Sequence, residues 1–211
     1  LFKNTDDAIA AVPQVITKVG VVPSATEFID RYCYEASCNF LGAKLPIEGV
    51  GATLLIEFDG TDEALTLAIA EKAGKVCVDG GAINIFVAEN NEMRDKLWSV
   101  RSHIDEALRV TDPTHIDEDT VVPVSEIAAF CREIYAIGDK YGVKIVNFGH
   151  AGDGNLHPTI ARKEGLTDSE WEVLAEKVVS DIFKLAKSFG GVLSGEHGVG
   201  LTRTAYYKEL C

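Results

Sequence analysis

The chain has 211 residues, 46% of them hydrophobic and 25% charged, which is enough for one sizeable core or two small ones and excludes a disordered tail. A formal net charge of -13, with no Lys/Arg cluster interleaved with aromatics, argues against a nucleic-acid partner, because such binding depends on cations that neutralise phosphates. No apolar run approaches the ~18 residues of a membrane span, and the start shows no signal-peptide pattern.

Five cysteines, Cys33, Cys38, Cys77, Cys131 and Cys211, are an odd number without CxxC spacing. Thiols in a reducing, cytoplasmic compartment are therefore expected rather than a disulfide framework. Met93 is the only methionine and the sequence opens on Leu-Phe-Lys, which reads as a processed or excised chain whose parent supplies further residues to the same site.

In chain order, residues 5–19 read as a helix with a kink at Pro13 and a stop at Gly20. Ser24-Ala-Thr-Glu27 has the form of a capping box, predicting a helix over Ala25 to Ser37. Ala52 to Phe58 is a β-prone run, and Thr61-Asp-Glu caps a helix that Gly74 ends. Strands are expected over Val76 to Val78 and Ile83 to Val87, split by Gly80-Gly81, before a long helix from Asn90 to Leu108. In it Met93, Leu97, Val100, Ile104 and Leu108 form a core stripe.

After Pro113, a strand over Thr120 to Val122 precedes a helix capped by Ser125 and stopped at Gly142. Val143 to Phe148 and His157 to Ala161 read as strands flanking a glycine-rich loop. Thr167-Asp-Ser-Glu170 is a second capping box, opening a helix to Ser188; Gly190-Gly191, a short strand at Val192-Leu193, a second glycine loop and a helix within 201–210 follow. Short strands alternating with helices point to an α+β fold of ferredoxin-like split βαβ units, an antiparallel sheet with helices on one face, and doubling of that unit is open. No Rossmann GxGxxG follows a strand and no P-loop lysine appears.

His150-Ala-Gly-Asp-Gly-Asn-Leu-His157 and Ser194-Gly-Glu-His-Gly-Val-Gly200 hold three of the five histidines, so chemistry is sought where these loops meet. His150 and His157 stand at the two ends of a tight loop, and with Glu196 they make a His/His/Glu set of the kind that holds a catalytic divalent metal. The alternative is that these side chains cap turns and the glycines serve geometry. His197, next to Glu196, would point elsewhere in an extended segment and suits the role of a base; a loop histidine bonded to backbone is the competing reading. Trp98 and Arg101 share a helical face, where a guanidinium could bind a carboxylate or simply be solvated.

Asn147-Phe-Gly-His-Ala-Gly-Asp-Gly-Asn-Leu-His-Pro158 and Ser194 to Gly200, with Leu97-Trp-x-x-Arg101 and Thr26-Glu-Phe-Ile-Asp30 upstream, resemble the C-terminal domain of FAD-linked oxidases. That group contains D-lactate dehydrogenases, the FAD subunit of glycolate oxidase and D-2-hydroxyglutarate dehydrogenases. The resemblance covers nearly the whole chain in the expected order. It implies a substrate-binding cap over FAD, with the FAD-binding domain preceding it and absent from this chain, which alone should be redox-silent.

It further implies that His150, His157 and Glu196 hold zinc, manganese or another divalent metal, that Arg101 pairs with the substrate carboxylate, and that His197 removes the hydroxyl proton. The substrate is then a small 2-hydroxy acid, and both a homodimer and association with other oxidase subunits are compatible with it. One departure stands out. Family members often carry a lysine just before an Asp-x-x-x-Pro segment, whereas Ile116-Asp-Glu-Asp119 is acidic here, which puts a second positive contact to substrate in question. A self-contained His/His/Glu metal hydrolase and a non-catalytic interaction module are the alternatives from other classes.

Overall fold

The computed structural model describes residues 1–210, divided between a first unit of Leu1–Thr111 with Phe148–Gly152 and a second of Asp112–Asn147 with Asp153 onward. In the first unit, α1 (Thr5–Val19) begins at Asn4, whose side chain accepts from the Asp7 N–H. It buries Ile9, Val12, Val15 and Val19, a stripe at three- and four-residue spacing. The helix runs through Pro13 and ends at Gly20.

Strand β1 (Ala25–Asp30) lies between β2 (Ala52–Glu57) and the last residues of β5 (Ile145–His150), antiparallel to both, with Glu27 opposite His150. This corrects the helix expected from Ser24. The Ser24 N–H and hydroxyl both donate to the Glu57 carbonyl instead of closing a helical turn. Thr26 to Asp30 are all buried, as in a central strand covered on both faces. The helix starts later, as α2 (Arg31–Leu41), with Asp30 accepting from the Cys33 N–H as its true cap.

Helix α3 (Glu63–Asp79) continues through Gly74 and takes in Val76 to Val78, so the strand expected there is absent. Val76 and Cys77 belong to its buried side, α3 packs on α1, and the Gly80 N–H bonds back to the Val76 carbonyl: the glycine pair stops a helix and does not split a strand. Ile83 to Val87 form no ladder either; the Ile83 N–H donates to the Leu1 carbonyl, and the Leu1 amino group to the Asn84 carbonyl. The long helix is two, α4 (Asn91–Ser102) and α5 (Ile104–Thr111). They part at His103, whose ring nitrogen Nδ1 lies 2.9 Å from the Ser99 carbonyl. The stripe survives the break in Val100, Ile104 and Leu108, which are buried; Met93 and Leu97 are half-buried.

In the second unit the order is β5-β6-β3, with β6 (Asn155–Ala161) fully buried. It pairs antiparallel with β3 (His115–Asp117), a strand not expected from the sequence, and with β4 (Thr120–Val121). A 3-10 turn over Val124–Glu126 precedes α6 (Ile127–Tyr141), so Ser125 does not cap that helix as expected; Gly142 does stop it. Helix α7 (Asp168–Ser188) opens on the expected capping box, with both reciprocal bonds between Thr167 and Glu170 present. The expected strand at 192–193 is an isolated bridge of Val192 to Val121, and α8 (Thr204–Leu210) is the final helix. Phe130, Ile134, Leu156, Ile160, Ile182 and Phe183 form the core of this unit.

The α+β class with antiparallel pairing is as expected. Cys33, Cys38, Cys77 and Cys131 are buried thiols, and Cys211 lies outside the described residues. Among the described residues no helix is long and apolar enough to cross a membrane.

Candidate active site

In the first unit, β1 and β5 set Glu27 and His150 side by side, and the last turn of α4 brings Arg101 over them. The two carboxylate oxygens of Glu27 are divided between these partners: Oε1 is 2.7 Å from His150 Nδ1, and Oε2 accepts from Arg101 Nε at 2.8 Å. Glu27 is only 3% exposed, so its charge sits in a low-dielectric setting where such bonds are strong. Burial would raise its carboxyl, but the His150 bond and the Arg101 charge hold it below the usual glutamate value.

The Arg101 guanidinium also lies over the Phe148 ring, 4.9 Å from its centroid. One turn earlier on α4, Trp98 Nε1 donates to the Glu57 carboxylate at the end of β2. Trp98 and Arg101 thus use the same helix face to reach the sheet, as their spacing predicts. A carboxylate facing His150 Nδ1 favours the tautomer with its proton there, which puts the ring's lone pair on Nε2.

In the second unit the two glycine loops meet on Asp119, which has no exposed surface. Its Oδ2 accepts from Ser194 Oγ at 2.8 Å and from the N–H groups of Gly195, Glu196 and His197 at 2.8, 2.9 and 2.8 Å. Its Oδ1 accepts from Asn155 Nδ2 at 2.7 Å, at the start of β6. Burial alone would raise the Asp119 carboxyl; the bonds from His197, Asn155, Ser194 and Glu196 outweigh it and hold the group down at about 2.

Segment 194–197 is therefore wrapped around a carboxylate and is not extended, so the condition under which His197 would point away from Glu196 is not met. His197 stacks on His157, ring centroids 5.1 Å apart and planes within 7°, and its Nε2 is 3.6 Å from Glu196 Oε1. His157, 4% exposed on β6, has Nε2 at 3.3 Å from the same oxygen. Two ligand atoms at ~2.0–2.1 Å from a tetrahedral ion lie ~3.3–3.4 Å apart, so the His157 and Glu196 pair has the separation that metal ligands adopt. A second clamp fixes the same loop from outside: Arg203 donates to Glu118 at 2.6 Å, to the Asp117 carbonyl at 3.0 Å and to the Gly198 carbonyl at 3.2 Å. Burial pushes the Glu118 carboxyl up in spite of Arg203.

The family of FAD linked oxidases, C-terminal domain, matches residues 1–210. The chain belongs to this family. It is 33% identical over 214 residues to the D-lactate dehydrogenase of Anaerostipes hadrus, covering 99% of this chain and 44% of that protein. It is 36% identical over 208 residues to glycolate oxidase subunit GlcD of Bacillus subtilis (strain 168), covering 99% and 43%. The chain thus spans less than half the length of these curated relatives. Among solved structures, 4-ethylphenol oxidase from Gulosibacter chungangensis in its isoeugenol complex is similar in fold, with a TM-score of 0.60 over 98% of this chain and 46% of that one at 12% identity.

Of the residues singled out in the sequence, this FAD linked oxidase C-terminal domain brings Arg101 and His150 together in the first unit and His157, Glu196 and His197 in the second. His103 and His115 join neither group: His103 closes α4, and His115 lies on β3 with Nδ1 2.7 Å from the Asp112 carbonyl. Three further residues escaped the sequence reading. Glu27 was hidden inside an apparent capping box, and its signal is an acid just before the apolar pair Phe28-Ile29. Asp119 and Glu118 lie in the acidic stretch 117–119, and their partners at 194–197 and 203 are about 80 residues away.

Proposed function

We propose that this domain is the substrate-binding and metal-binding cap of an FAD-dependent 2-hydroxy-acid dehydrogenase that oxidises a substrate of the D-lactate, glycolate or D-2-hydroxyglutarate class to the 2-oxo acid. The observation that carries this reading is the convergence of His157, Glu196 and His197 around Asp119 in a chain whose family is FAD-linked.

His150, His157 and Glu196 are the proposed metal ligands, zinc or manganese by donor type, and their chemistry fits: two imidazoles and a carboxylate, with His150 held in the tautomer that ligates through Nε2. A divalent ion there supplies Lewis acidity toward the substrate's hydroxyl and carboxylate. FAD, bound mainly outside these residues, supplies the acceptor for the carbon-bound hydrogen.

The chain's own residues do the rest. Arg101, tied at Nε by Glu27, offers the terminal nitrogens of its guanidinium to the substrate carboxylate. His197, 43% exposed at its side chain, takes the hydroxyl proton at Nε2, and the Glu196 carboxylate beside it stabilises the imidazolium that forms. A metal hydrolase built on the same three ligands would need no flavin and sits poorly with the family.

The partners follow from the same reading: a small 2-hydroxy acid, an electron acceptor after the flavin, and either a second copy or further oxidase subunits, the last in line with the word "subunit" in the name of the Bacillus relative. The buried thiols agree with a cytoplasmic setting.

The test uses the flavin-containing full-length protein with a dye acceptor and D-lactate, glycolate and D-2-hydroxyglutarate. His197→Ala is expected to lower kcat about 10²- to 10⁴-fold with metal content retained. His150→Ala and Glu196→Ala are expected to lose the metal. Unchanged metal content in both, or no flavin reduction by any of the three acids, refutes the proposal.

A further inference from the structure

Glu27 is one buried carboxylate serving two functional side chains at once, and nothing in the proposed chemistry needs it to touch substrate or metal. We infer that Glu27 is the positioning residue of the first unit, fixing His150 as an Nε2 metal ligand and aiming the Arg101 guanidinium, so that metal affinity and carboxylate recognition share a single support. The inference rests on the proposed roles of His150 and Arg101.

The geometry supports it step by step. Oε1 at 2.7 Å from His150 Nδ1 and Oε2 at 2.8 Å from Arg101 Nε use one oxygen each, so neither contact can be exchanged for the other without loss. The first of these bonds is anchored by backbone: Glu27 and His150 are directly opposed in the antiparallel ladder of β1 and β5, while Arg101 reaches Glu27 from α4. At 5% side-chain exposure Glu27 has little water to compete for it, whereas the His150 side chain is 34% exposed and the Arg101 side chain 14%. The buried member therefore sets the orientation of the other two. Engaging Arg101 through Nε leaves the paired terminal nitrogens, a fork well matched to a carboxylate, outside that bond. A carboxylate on the far nitrogen of a metal-binding histidine typically accounts for 10- to 100-fold in metal affinity.

The experiment compares the wild-type protein with Glu27→Leu, similar in volume and unable to accept, and Glu27→Gln, which offers one carbonyl oxygen to two donors. Ring-nitrogen NMR of ¹⁵N-labelled, metal-free protein reads the His150 tautomer, with His150→Ala assigning the signals, and Zn²⁺ titration against a chromophoric chelator reads affinity. Glu27→Leu is expected to shift His150 from the Nδ1–H form to a tautomer mixture and to weaken Zn²⁺ binding about 10- to 100-fold. If that variant does not fold, Glu27→Gln decides in its place, with an expected loss of about 10-fold or more.

A His150 tautomer and a Zn²⁺ affinity that both stay at wild-type values, while His150→Ala abolishes tight binding, overturn the inference and leave the metal reading standing. Zn²⁺ affinity unchanged in His150→Ala overturns the metal reading, and the inference with it.

Discussion

Asp119→Asn is the sharpest perturbation of the second unit, because it removes a charge without removing volume. Four donors converge on Oδ2 and one on Oδ1, at 2.7 to 2.9 Å. With the asparagine carbonyl turned toward the loop, the bonds from Ser194, Gly195, Glu196 and His197 become neutral ones, roughly half as strong. These loop donors can turn to water, so the loss there is about 0.5 kcal/mol each, about 2 kcal/mol together.

The other side is less forgiving. The new amide nitrogen faces Asn155 Nδ2, donor against donor, in a residue only 6% exposed. Turning the Asn155 amide over would sacrifice its bond to the Thr120 carbonyl at 3.0 Å. One buried donor left unmet costs a further ~1–3 kcal/mol, for a total of about 3–5 kcal/mol. Urea denaturation gives the stability loss, and hydrogen exchange at the amides of 195–197 gives the local effect, expected to accelerate well beyond the rest of the unit. A loss under about 1 kcal/mol together with unchanged exchange at those amides would show that Asp119 does not organise the loop, and would refute the reasoning.

The same carboxylate predicts an acid dependence. Its folded value of about 2 lies below its ordinary 3.8, so the stabilisation is fully present above the ordinary value and is lost as pH falls through the interval down to about 2. Melting temperature should fall across that window in the wild type, and the component due to Asp119 should vanish in Asp119→Asn; identical acid profiles would count against it. At Gly154 the backbone has φ +78°, and a Cβ would collide with the Val122 carbonyl oxygen. Gly154→Ala should therefore cost about 3 kcal/mol, left-handed strain plus overpacking, against about 1–2 kcal/mol at Gly165→Ala, where φ is +80° and no atom lies within 4 Å of the Cβ. Equal losses by urea denaturation would remove the close approach as the cause.

Elements whose signals are local were readable in advance, and those decided by partners far along the chain were not. The box at Thr167 and Glu170 works because both of its bonds close within four residues and nothing competes for them. Ser24 and Glu27 have the same spacing, yet the serine meets Glu57, 33 residues on, and the glutamate meets His150, 123 residues on. Pairing with two strands outweighs the ~1 kcal/mol that a cap contributes. Gly74 failed as a stop for a related reason: a glycine inside a helix costs ~1 kcal/mol, less than α3 gains by packing Val76 and Cys77 on its buried side. Strand β3, three residues long, is too short for period-two alternation to register and exists through its pairing with β6.

The residues proposed to touch metal and substrate were legible because their types are chemically rare and their loops rich in glycine. Their supports were not, because a buried carboxylate is identified by what it accepts from and not by its own letter. Glu27 and Asp119 show the same arrangement twice: an acid buried on or beside a strand of one unit, its two oxygens allotted to different donors, holding in place side chains that the sequence did nominate. In the first unit it holds Arg101 and His150; in the second it holds the loop that carries Glu196 and His197. The acidic stretch at 116–119 is thereby explained in part without reference to substrate: Asp119 and Glu118 are committed to the loop and to Arg203. Asp117 is likewise engaged: its Oδ1 accepts from Thr159 at 2.8 Å, and its Oδ2 lies 3.3 Å from His115 Nε2.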